Sequence, residues 1–160
     1  MLLSGGCDAL ITAITPRAFL DGDPKIRRLF PDVRGVEKDY YEKTGLFPIM
    51  HVVAMRTDFV EANPLLPKAV FEMYSSAKQE AYVDLETTTS LKVTLPWVTQ
   101  DFEDTRTLMG RNYWPYGIEA NRKELESVMR YVYEQGLVRR RSTFEELFDS
   151  STFELTEDPA

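Results

Sequence analysis

A chain of 160 residues suits one domain, and 43% hydrophobic content with nine Phe, eight Tyr and two Trp is ample for a packed core. The formal charge of −7 argues against nucleic acid, whose affinity comes from Lys and Arg neutralising phosphates. One Cys rules out an internal disulfide, and one Cys with one His argues against zinc and leaves carboxylates alone for a magnesium site, so no metal ligand is named; no run approaches the roughly 18 apolar residues of a membrane span, and the default expectation is a cytoplasmic protein.

Taken in chain order, "CDALITAI" (7–14) is short, apolar and β-branched, which predicts a buried strand stopped by Pro16. Asp21 to Pro24 reads as a turn, and "RGVEKDYYEKTG" as a helix over 34–44 ended by Gly45. "IMHVVAM" (49–55) shows almost no polar alternation, which predicts a second strand, covered on both faces. A helix follows over 64–84, with Asn63 as its cap and Pro64 at its first position; Leu66, Val70, Met73, Ala77 and Ala81 recur at helical spacing as its core stripe. Another helix runs from Pro96 to Gly110. The clearest helix covers 121–135, with Leu125, Val128, Met129 and Val132 on one face and Gly136 as terminator; "STFEEL" then carries a capping box, Ser142 with Glu145. The sum is an α/β chain with a helix-rich C-terminal half. Two strands do not make a stable sheet by themselves, so the pattern requires further strands from elsewhere.

No Gly-rich phosphate loop, nucleophile elbow, H-E-x-x-H or C-x-x-C occurs. Three features remain. His51, the one histidine, sits in an apolar run, either as a hydrogen-bonded core residue or as a proton donor at the mouth of a site. Tyr113, Trp114 and Tyr116 flank Pro115 in a connector between two helices, either plugging a core or forming a flat wall for an aromatic ligand. Arg17 follows the first predicted strand at its carboxyl end, where an arginine suits a ligand carboxylate.

The segments "GCDALITAITPRAF", "IRRLFPD", "YYEKTGLFPIMHVVAMR", "LPW", "MGRNYWPYGIEANRKELE" and "YEQGL…ELF", in this order, resemble the C-terminal part of the 4,5-dihydroxyphthalate decarboxylase family. "FPIMH" and "WPYG" are the specific ones. The resemblance implies a two-lobed α/β fold like that of type 2 periplasmic binding proteins. Residues 1–45 would then finish the second lobe and 46–160 return to the first, the N-terminal part of the full fold being absent. It implies a non-oxidative decarboxylase of a dihydroxylated aromatic dicarboxylic acid, turning 4,5-dihydroxyphthalate into protocatechuate and CO2 without a cofactor. His51 is then the acid, Arg17 the carboxylate clamp, and Tyr113, Trp114 and Tyr116 the wall. The alternative is a non-catalytic solute-binding protein for an aromatic acid. Either way the expected partners are a small aromatic carboxylic acid and a further polypeptide, a second copy or the missing N-terminal half, with little or no turnover by the chain alone.

Overall fold

The computed structural model describes residues 1–90 and 92–157, and among them no residue lies in a strand; the chain is helix joined by irregular backbone. This overturns the α/β expectation and the two-lobed binding-protein-like fold that went with it. The β-branched runs 7–14 and 49–55 form no ladder. Strand preference is realised through cross-strand neighbours, and neither run has one.

The chain divides into two compact units, Met1–Thr44 and Gly45–Ala160. In the first, α1 (Arg17–Leu20) is a single turn and α2 (Val33–Thr44) matches the expected helix. Asp32 holds the start of α2, its Oδ1 accepting from the Gly35 N–H at 2.9 Å, a capping arrangement that satisfies a donor the helix cannot. No residue of this unit is buried.

The second unit carries α3 (Thr57–Ala62), α4 (Leu66–Glu86), α5 (Val98–Met109), α6 (Arg122–Glu134) and α7 (Phe144–Leu147). Asn63 closes α3 instead of capping the next helix, its Nδ2 donating to Phe59 O at 2.9 Å. The long helix therefore starts after Pro64, with Pro67 in its first turn, where a missing N–H costs nothing. α5 ends at Gly110, whose φ of +88° suits glycine, and Gly136 (φ +70°) follows α6 in the same way. The capping box of α7 is Thr143 with Glu146, one residue later than the sequence pattern indicated.

The buried face of α4 differs from the expected stripe. Pro67, Lys78 and Tyr82 are buried and Phe71 and Ser75 half-buried, while Met73, Ala77 and Ala81 are exposed. The helix is turned by one residue, about 100°, so that an aromatic and polar stripe faces inward. The buried apolar core that results is small: Tyr82, Phe102, Ile118 and Leu125.

Much apolar surface stays in water. The accessible surface is 12826 Å², against roughly 9,700 Å² for two independent folded bodies of these lengths. Part of the excess lies in the 49–55 run, where Met50 is 64% and Val52 68% exposed. No helix among the described residues is long and apolar enough to cross a membrane.

Candidate functional site

The side chains that converge most closely in the second unit do so around Lys78 on α4. Its ammonium has three donors, and all three are used. Lys78 Nζ donates to Glu157 Oε2 at 2.6 Å, to Asn112 Oδ1 at 2.8 Å and to the Trp114 carbonyl at 2.8 Å. Glu157 Oε2 also accepts from the Tyr116 N–H at 2.8 Å and from Asn112 Nδ2 at 2.9 Å. Asn112 thus bridges cation and anion. The two charged side chains are 6% and 4% exposed, so the pair is desolvated and depends on these partners.

The aromatic connector is built on this pair. The Lys78 ammonium lies 4.4 Å from the centroid of the Tyr116 ring and 5.6 Å from that of Tyr82, within cation–π range of both. Tyr113 stacks on Tyr82 at 4.8 Å and meets Phe102 edge-on at 6.1 Å, and Trp114 meets Phe47 edge-on at 5.4 Å. Asn121 closes the connector from the other side, its Nδ2 donating to Pro115 O at 2.8 Å and to Gly117 O at 2.9 Å.

Gly117 has φ +103°, and a Cβ there would stand 2.8 Å from Leu155 O. The residue must therefore be glycine on two counts, backbone sign and room for the segment that carries Glu157. Gly117→Ala is expected to cost about 1–3 kcal/mol, read as a lower urea midpoint with unchanged m-value. An unchanged midpoint would show that this segment contributes nothing to stability.

The electrostatics follow from burial. Desolvation alone would raise the Glu157 carboxyl; the Lys78 ammonium, the Tyr116 N–H and the Asn112 amide together reverse this, and it ionises below the ordinary carboxylate range. Desolvation pulls Lys78 below the usual lysine value, a shift that the Glu157 carboxylate opposes in part. Burial also pushes the phenols of Tyr82, Tyr113 and Tyr116 up. These phenols are neutral near pH 7, and the Tyr82 hydroxyl is buried without a hydrogen-bond partner. Ser75 Oγ and Glu157 Oε1 are buried without a hydrogen-bond partner.

The site residues named from sequence fall in two places. Tyr113, Trp114 and Tyr116 are brought together, Tyr113 by ring packing and Tyr116 by Lys78 and Glu157. His51 is exposed on irregular backbone of the same unit. Arg17 belongs to the first unit, on α1, exposed and paired with Asp21 at 2.9 Å. Lys78, Asn112 and Glu157 were not foreseen. The signal for Lys78 was its spacing with Phe71, Ser75 and Tyr82, by four, three and four residues; Glu157, 79 residues away, left none.

No protein-family model matches the chain. It is similar to a 4,5-dihydroxyphthalate decarboxylase of Comamonas testosteroni, 32% identical over 154 residues, which are 96% of this chain and 47% of the relative. The chain therefore spans about half the length of the curated relative it matches. The similarity is to a protein named as a decarboxylase, and it extends along nearly the whole of this chain.

Proposed function

We propose that the chain contributes to a non-oxidative carboxy-lyase acting on a dihydroxylated aromatic dicarboxylic acid, 4,5-dihydroxyphthalate going to protocatechuate and CO2. The observation that carries this is the similarity to a decarboxylase along nearly the whole chain, including the aromatic connector. Cleaving a carboxylate from a ring would leave an aryl carbanion unless a proton reaches the same carbon. The hydroxyl para to that carbon pushes electrons in, the proton adds, CO2 leaves with the ring bond's electron pair returning to the ring, and aromaticity is restored.

Each group has an assigned part. His51 is assigned the proton transfer, histidine being the side chain used most often in general acid–base catalysis. Arg17 is assigned, within the first unit by itself, to a ligand carboxylate, which its guanidinium takes as a two-donor fork. Tyr113, Trp114 and Tyr116 supply the wall, with neutral phenols to hydrogen-bond ring hydroxyls. Because the match spans 47% of the relative, the facing wall is assigned to further polypeptide, a second copy or an equivalent of the relative's unmatched part. The exposed 49–55 run is the surface proposed to receive it.

His51→Asn tests the assignment. In a complete enzyme, protocatechuate formation should fall by ~10² or more in kcat, the low end for lost general-acid catalysis. Because His51 is exposed, the melting temperature should not move. Full turnover in the variant would remove His51 from the mechanism.

A further inference from the structure

The Lys78 cluster has the form of a carboxylate receptor with its own chain in the seat. Three donors of different kinds converge on one oxygen: the Lys78 ammonium at 2.6 Å, the Tyr116 N–H at 2.8 Å and the Asn112 amide at 2.9 Å. They surround the carboxylate beside two aromatic faces, Tyr116 and Tyr82. Charge, a backbone donor and a neutral amide around an anion next to rings is the donor set that an aromatic carboxylate requires.

Glu157 fills this receptor imperfectly. All three bonds go to Oε2, while Oε1 is buried with no partner on a side chain that is 4% exposed. A buried acceptor without a donor is unfavourable. Ser75, three residues before Lys78 on the same helix face, is a buried hydroxyl with no partner either, and so a donor in reserve. Glu157 also arrives on irregular backbone, so it can leave without unwinding a helix.

We propose that the Lys78–Asn112–Tyr116 cradle is a binding site for an aromatic carboxylate, and that Glu157 occupies it as an internal, displaceable substitute. The choice of an aromatic ligand rests on the function proposed above; the carboxylate part rests on the cradle.

The test uses Glu157→Ala, which empties the cradle and leaves a buried ammonium seeking an anion. Phthalate is the probe, at millimolar concentrations, with acetate and benzenesulfonamide as comparisons. Phthalate should raise the melting temperature of Glu157→Ala by several degrees and shift the amide resonances of Asn112 and Tyr116. It should bind the unsubstituted chain at least tenfold more weakly, and binding should vanish in Lys78→Met/Glu157→Ala. If Glu157→Ala is unfolded, phthalate should refold it. No effect of phthalate on the variant, folded or unfolded, would overturn the proposal and leave Glu157 as a tether. Equal rescue by acetate would overturn the aromatic part alone. Phthalate binding would retain the cradle whether or not 4,5-dihydroxyphthalate is turned over, so failure of the decarboxylase reading is distinguishable from failure of the cradle.

Discussion

Lys78→Met should destabilise the second unit by about 3–5 kcal/mol, the usual result of removing one partner from a buried ion pair. The reason is what remains. Glu157, 4% exposed, keeps its charge and its Asn112 and Tyr116 bonds but loses the cation 2.6 Å away. Asn112 Oδ1 and the Trp114 carbonyl lose their donor as well, so three acceptors are affected by one substitution. For a domain of this size the loss corresponds to roughly 12–20 °C in melting temperature. Adding Glu157→Met to Lys78→Met should recover at least half of it, because an apolar pair leaves no buried charge. If the double variant is no better than the single one, the damage comes from packing on α4 and not from charge.

The second large effect is acid lability. The Glu157 carboxyl ionises below its ordinary range in the folded chain, so the unfolded state binds its proton first as pH falls. The stability this contributes is present above the unfolded carboxylate range and disappears as pH drops through the lowered folded value. Lys78 acts with the opposite sign and elsewhere. Its lowered folded value costs stability wherever it is charged, and that cost is relieved only at alkaline pH. Glu146 is also held low, at about 2, by Arg140, but it is exposed and its pair contributes little. Urea unfolding at pH 7 and pH 4 should therefore show a drop that Glu157→Gln largely abolishes. An equal drop in that variant would place the acid sensitivity in other carboxylates.

The helices were legible because their signals are local. α2, α5 and α6 follow from periodicity and from Gly45, Gly110 and Gly136, whose positive φ values are a backbone requirement that the sequence states directly. The strands were not, because a run such as 49–55 becomes a strand through its neighbours and none is present in the described residues. The stripe on α4 was misplaced for a related reason. Apolar spacing alone favoured Met73, Ala77 and Ala81, whereas the inward face is set by Lys78, whose burial is made tolerable by an acid 79 residues further on. The connector was found by composition, three rings around Pro115, but what holds Tyr116 in place is that same remote contact. A buried polar network is invisible to any window shorter than the loop it closes.

Decarboxylation in D2O, free of oxygen, tests the central claim most directly. With 4,5-dihydroxyphthalate carrying a labelled carboxyl, protocatechuate and CO2 should appear in equal amounts, and the product should carry deuterium at the carbon that lost CO2. The rate should be slow beside that of the Comamonas relative, since this chain matches 47% of it. A product that keeps both carboxyl groups, or protocatechuate without deuterium at the carbon that lost CO2, would contradict the account.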